Sequence, residues 1–175
     1  MSLYEVLNFK KWIEDNRHLL KPPVSNKVIW KDRDFIVMVV GGPNSRTDFH
    51  VNQSEEFFYQ LEGTLTLRIF DKEKKLHDLK IRAGDIFLLP PNTPHSPQRE
   101  DGSIGLVIEK RRSENEIDGL QWYCEMCHEK LYEEFFKLTN IETQFPAVFE
   151  RYYNSDHVKC TSCGHTNGRK WTRPF

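Results

Sequence analysis

The chain has 175 residues and 25 basic side chains against 26 acidic ones, a net charge of −1. That length suits one domain, or one domain with a small appendage. The charge balance excludes a protein whose affinity comes from neutralising phosphates and an acidic, self-repelling chain. Hydrophobic residues make up only 38%, but 12 Phe, 6 Tyr and 4 Trp supply bulk for a core. No segment approaches the roughly 20 apolar residues of a membrane span, and Met1 to Lys11 lack the apolar stretch of a signal peptide. A cytoplasmic protein without membrane or nucleic-acid partners is expected.

Phe9 to Leu20 reads as a helix, with Phe9, Trp12, Ile13, Asn16, Leu19 and Leu20 on one face. Asn8 caps its start and Lys21-Pro22-Pro23 stops it. From Val28 to Lys110, short β-branched and aromatic runs alternate with turns. The strands read as Phe35–Val40, Thr47–Val51, Phe57–Leu61, Thr64–Phe70, Leu76–Ile81, Ile86–Leu89 and Ile104–Glu109. Leu65, Leu67 and Ile69 alternate with Thr64, Thr66 and Arg68, the period of a half-buried strand. Gly41–Asn44, Glu62-Gly63, Asp71–Lys75, Ala83–Asp85 and Pro90–Pro94 supply turns. With no helices between the strands, an all-β jelly-roll barrel is predicted. Ser113 to Gly119 reads as a polar linker, and Pro146 to Tyr153 as a short helix with the proline in its first turn.

Three constellations carry chemistry. His50, Glu56 and His95 form a two-histidine, one-carboxylate set that suits ferrous iron and leaves positions open for substrate and O₂. Taken singly, each would be an ordinary surface or core residue. Arg46 precedes His50 by four residues and Arg99 follows His95 by four, so on strands they share a face with the histidines. Two guanidiniums beside a metal suit an anionic ligand, although pairing with Glu100 or Asp101 at the surface is the alternative. Glu109 ends a buried strand, where an amine on a ligand would satisfy its charge. Asp48 is either a solvent-facing residue or a hydrogen-bond partner of a metal-binding histidine. Finally, Cys124-x-x-Cys127 and Cys160-x-x-Cys163 supply four thiolates for a closed, structural Zn or Fe site. Disulfides are the alternative for these cysteines. His18, His77, His128, His157 and His165 read as surface residues, and Arg169–Arg173 as a basic terminus or dimer contact.

The order Asp48-Phe49-His50, Glu56, Gly63, followed by Gly84, Pro90 and His95, resembles the two motifs of the cupin superfamily. Asp48 replaces the first histidine of the usual pair. Asn92 replaces a glycine, at little cost in a turn. The blocks Val39–Asn44, Arg46–His50, Glu55–Gln60, Gly84–Pro91, His95–Arg99, Leu106–Glu109 and Trp122–Cys124 resemble, more narrowly, the 3-hydroxyanthranilate 3,4-dioxygenase family. The resemblance runs from about residue 8 to Cys163. It implies a double-stranded β-helix over residues 1–112, N-terminal helix included. Residues 113–175 follow as a linker and a rubredoxin-like or zinc-ribbon segment packed on the barrel. It also implies Fe(II) on His50, Glu56 and His95, Arg46 and Arg99 on a substrate carboxylate, Glu109 on its amine, Asn26 in the pocket, and a homodimer. The implied reaction opens the ring of 3-hydroxyanthranilate with O₂ to 2-amino-3-carboxymuconate semialdehyde, the precursor of quinolinate between tryptophan and NAD. A non-catalytic cupin that senses a small acid, a zinc or manganese isomerase on the same fold, and a zinc-ribbon nucleic-acid module are the competing readings.

Overall fold

Asn8 opens the first helix as its sequence suggests, its side chain accepting the backbone N–H of Lys11 at 3.0 Å. The computed structural model describes residues 6–22, 25–30, 33–139 and 141–169. Helix α1 spans Phe9–Asn16 and tightens into a one-turn 3-10 helix at Arg17–Leu19. Ile13 and Leu20 are buried with Ile29, Val39 and Ile104, so α1 packs on the face of the first sheet that points away from the cavity-lining Met38 and Val40. Of the expected stop signal, Pro23 lies outside the described residues, as do Lys170–Arg173 of the basic terminus.

Eleven strands follow: β1 (Asn26–Trp30), β2 (Phe35–Gly41), β3 (Phe49–Val51), β4 (Glu56–Glu62), β5 (Thr64–Phe70), β6 (Leu76–Arg82), β7 (Ile86–Leu89), β8 (His95–Arg99), β9 (Ile104–Lys110), β10 (Asp118–Tyr123) and β11 (Lys130–Phe136). They form two antiparallel sheets, one ordered β1-β2-β9-β4-β7 and the other β11-β10-β3-β8-β5-β6. The inner faces meet in a core of Phe58, Leu89 and Val107 from the first sheet with Leu65, Leu67 and Ile81 from the second. The result is the expected all-β jelly roll. Asn92 takes a φ of 58° in the turn before β8, the left-handed conformation that asparagine tolerates.

Several boundaries differ from the sequence reading. β3 is only three residues long, which leaves Arg46 and Thr47 in a loop. Asp118 and Gly119, read as linker, begin β10, because this strand is flanked by β3 on one side and β11 on the other and is buried from Asp118 to Trp122. β8 has the polar sequence His-Ser-Pro-Gln-Arg and is a strand because β5 pairs along its whole length. Helix α2 runs Ile141–Tyr153, with Pro146 inside it rather than in its first turn.

The C-terminal segment has its own core of Leu120, Trp122, Phe145, Val148, Phe149 and Tyr152. Trp122 stacks on Tyr152 with ring centroids 4.5 Å apart. Trp122→Ala removes the centre of this cluster. It is expected to cost about 3–5 kcal/mol of stability in urea unfolding, with the loss concentrated in residues 118–169 by hydrogen exchange.

Candidate active site

β3 and β8 meet at one register pair, His50 opposite His95. In the other sheet β4 begins with Glu56, opposite Glu109 on β9. Side chains two apart on a strand share a face. Accordingly His95, Pro97 and Arg99 of β8, Glu56 and Phe58 of β4, Val107 and Glu109 of β9, and Met38 and Val40 of β2 all line one cavity of about 120 Å³ between the sheets. Asn26, Arg46 and His50 line it too, so every residue singled out for the catalytic metal and its ligand borders one space.

Potential ligand atoms of His50, Glu56 and His95 lie within 4.8 Å of one another, and all three residues are buried. His95 donates from Nδ1 to the Thr93 carbonyl at 3.0 Å and directs Nε2 toward Glu56 Oε2 at 3.2 Å. Nε2 of His50 lies 2.6 Å from Asp118 Oδ2. A carboxylate on one imidazole nitrogen fixes the tautomer whose other nitrogen carries a lone pair. Burial holds His50 below its ordinary value of 6.5, the Asp118 bond only partly opposing it, which favours the neutral, ligating form. Burial works against the charge on Glu56, but His95 and His50 outweigh it and keep its pKa low. Two imidazoles and one carboxylate fall short of the four donors of a closed structural site, and they fit an open site for a divalent ion such as ferrous iron.

The pocket's cationic groups differ from each other. Arg99 is 5% exposed. Its Nη1 donates to Gln60 Oε1 at 3.1 Å, and its Nε has no partner among the described residues. Burial, offset in part by Glu56, pulls its pKa down to about 10. Glu100, a candidate surface partner, instead accepts the backbone N–H of Thr64 at 2.7 Å. Gly105 makes room for the guanidinium, since a Cβ there would lie 2.7 Å from Arg99 Nη1 and 2.8 Å from Gln60 Oε1.

Arg46 reaches the cavity from a loop and not from the alternation of a strand. Gln98 pins that loop by accepting from the Arg46 N–H at 3.1 Å and donating to its carbonyl at 2.9 Å. The Arg46 guanidinium bonds Asp48 through Nε and Nη2 and lies 5.5 Å from the centroid of the Phe145 ring. Asp48 therefore serves Arg46, and the carboxylate on the His50 ring is Asp118.

Glu109 is already paired. Arg112 Nη1 lies 2.8 Å from Glu109 Oε1. Its Nε and Nη2 donate to Asp118 at 3.1 and 2.9 Å. Burial and the facing Glu56 raise the Glu109 pKa, and Arg112 works against that rise. Arg112, Asp118, Gln60 and Phe145 were not anticipated as site residues. Arg112 carried a faint signal, a second arginine just past the end of a buried strand. Phe145, whose ring centroid is 5.6 Å from that of His50, carried none, because its helix docks only through tertiary packing.

The four cysteines form the second of two possible metal-binding groups among the described residues. Cys124 and Cys163 Sγ are 3.5 Å apart, and Cys127 and Cys160 Sγ 3.6 Å, too far for S–S bonds of about 2.05 Å. The two knuckles are alike. The N–H of His128 donates to the Cys124 carbonyl at 3.0 Å, and that of Gly164 to the Cys160 carbonyl at 2.9 Å. Both residues have positive φ, 63° and 76°, the conformation in which glycine is unstrained. None of the remaining histidines belongs to either group; His18, His128 and His157 are exposed as expected, whereas His77 and His165 are half-buried, His77 bonding Asp71 at 2.6 Å.

Two outcomes follow from this geometry. Because the folded His50 pKa is depressed, the unfolded chain takes up this proton first, and metal-free stability falls as pH drops through about 6.5. His50→Gln is expected to flatten that slope in urea titrations between pH 7 and pH 5. Cys160→Ser is expected to release one metal equivalent per chain, read by elemental analysis, while leaving the equivalent at His50, Glu56 and His95.

The 3-hydroxyanthranilic acid dioxygenase family model matches residues 1–153. The 3-hydroxyanthranilate 3,4-dioxygenase of Xanthomonas euvesicatoria pv. vesicatoria (strain 85-10) is 59% identical over 160 residues, covering 91% of this chain and 90% of its own. That of Jannaschia sp. (strain CCS1) is 48% identical over 172 residues, covering 97% and 95%. A solved cupin-2 domain containing protein from Shewanella frigidimarina NCIMB 400 aligns with a TM-score of 0.49 at 24% identity, covering 61% of this chain and 95% of that one. The chain belongs to the 3-hydroxyanthranilic acid dioxygenase family of enzymes.

Proposed function

We propose that the chain is an Fe(II)-dependent, ring-opening dioxygenase that converts 3-hydroxyanthranilate and O₂ to 2-amino-3-carboxymuconate semialdehyde, which cyclises to quinolinate on a route from tryptophan to NAD. The observation that carries this reading is Arg99: a buried guanidinium with an unpartnered Nε, sharing a strand face and a cavity with His95 of the metal-binding group. Such a cation calls for an anion, and a planar carboxylate matches its parallel donors.

The substrate's three polar groups find counterparts in the cavity. Arg99 binds the carboxylate, with Arg46 beside it. Glu109 accepts from the amine, and Asn26 borders the ring. His50, Glu56 and His95 would hold the iron. Once bound, that ion would supply the route by which O₂ reacts with the aminophenol. Phe58, Met38, Val40, Val107 and Phe145 exclude water and orient the ring. Both oxygen atoms enter the product, so no organic redox cofactor is required.

The four cysteines are proposed as a structural Zn(II) or Fe site that clamps the C-terminal segment, consistent with a cytoplasmic setting where thiols stay reduced. A homodimer is proposed for the assembly.

The deciding experiment loads the protein anaerobically with Fe(II), then adds O₂ and 3-hydroxyanthranilate while following oxygen uptake and product absorbance. One O₂ per ring opened, dependent on Fe(II), is expected. No turnover by folded, iron-loaded protein would leave a small-acid-binding cupin in its place. Arg99→Ala is expected to raise KM roughly tenfold or more, the scale of a lost charge-assisted hydrogen bond, and an unchanged KM would remove Arg99 from the carboxylate site.

A further inference from the structure

One guanidinium touches both halves of the site. Arg112 bonds Glu109 through Nη1 at 2.8 Å and grips Asp118 through Nε and Nη2 at 3.1 and 2.9 Å. Asp118 in turn bonds His50 at 2.6 Å. The side chains of this chain of contacts are 5% exposed at Glu109, 14% at Arg112, 1% at Asp118 and 9% at His50. Glu109 also stands opposite Glu56 across β9 and β4, an arrangement of like charges that is unfavourable unless a cation answers it. Arg112 is that cation, and its planar fork lets it serve two carboxylates at fixed angles, which a lysine cannot do.

We propose that Arg112 is a positioning residue that couples recognition of the substrate's amine to the seating of the metal. It aims the Glu109 carboxylate at the amine with one arm. With the other it holds Asp118 on the His50 ring. It acts through these two partners and not on the ring. The proposal rests on the 3-hydroxyanthranilate reading above.

The test compares two ligands on anaerobic, Fe(II)-loaded protein, where binding occurs without turnover. 3-Hydroxyanthranilate carries the amine, and 3-hydroxybenzoate is the same molecule without it. Arg112→Gln is expected to weaken 3-hydroxyanthranilate roughly tenfold or more and to change 3-hydroxybenzoate by less than about threefold. Chelator competition is expected to show Fe(II) affinity lowered about tenfold, in the range seen when the partner of a ligating histidine is lost. Asp118→Asn is expected to reproduce the iron effect and keep the preference for the amine. Glu109→Gln is expected to do the reverse. A double variant, Glu109→Gln with Arg112→Gln, is expected to lose no more amine preference than Glu109→Gln alone.

Arg112→Lys keeps the charge and guards against a variant that fails to fold. It is expected to retain one of the two effects and lose the other. Equal weakening of both ligands, or unchanged binding of ligand and iron, in a folded variant would overturn the coupling. Binding of neither ligand by the unmodified protein would overturn the substrate reading instead.

Discussion

The site depends on the register of a three-residue strand. β3 contributes Phe49, His50 and Val51, and it touches β8 at the single pair His50–His95. One such pair cannot hold a register by itself, and a slip of one residue would turn His50 out of the cavity. The neighbours of the pair supply the missing constraint. β10 pairs with β3 over Gly119, Leu120 and Gln121, and β5 pairs with all of β8. The two histidines meet because each lies on a strand tied down from its far side. Glu56 then arrives from the opposite sheet, fixed by β7 and β9.

Placing so many ionisable groups inside a barrel raises a second problem. Glu56, Glu109, Asp118, Arg99 and Arg112 are all largely removed from water. Isolated buried charges cost several kcal/mol each, and the arrangement shows how the cost is offset. Glu56 lies against two imidazoles. Glu109 and Asp118 share Arg112. Among the described residues no carboxylate is bonded to Arg99, and burial, only partly offset by Glu56, pulls its pKa down. A buried cation short of partners beside a cavity is the feature on which the proposed binding of a carboxylate rests.

Much of this was readable from residues alone. His50, Glu56 and His95 stood out because their types and spacing match an open metal site, and Cys124, Cys127, Cys160 and Cys163 because paired C-x-x-C knuckles are local. Strands with apolar alternation, such as Thr64–Phe70, were legible for the same reason. β8 and β10 were not, since polar His-Ser-Pro-Gln-Arg and Gly-containing Asp-Gly-Leu-Gln become strands only through their neighbours. The partners of charged groups were equally opaque. Asp48 and Asp118 are both plausible companions for His50, and only the fold shows that Asp48 turns to Arg46. Nor could local pattern reveal that Arg112 already answers Glu109.

The cavity wall contributed by Phe145 has a consequence for how the protein is made. Phe145 contacts both His50 and Arg46, yet it follows the last barrel strand of the first sheet, β9, by 35 residues. Asp118, which holds the His50 ring, also comes after β9. A chain emerging from the ribosome therefore presents the histidines of its candidate metal site and the arginines beside them well before the pieces that steady and flank them. Synthesis in the N- to C-terminal direction leaves this wall of the cavity unbuilt until the last third of the polypeptide has been released to fold against the barrel.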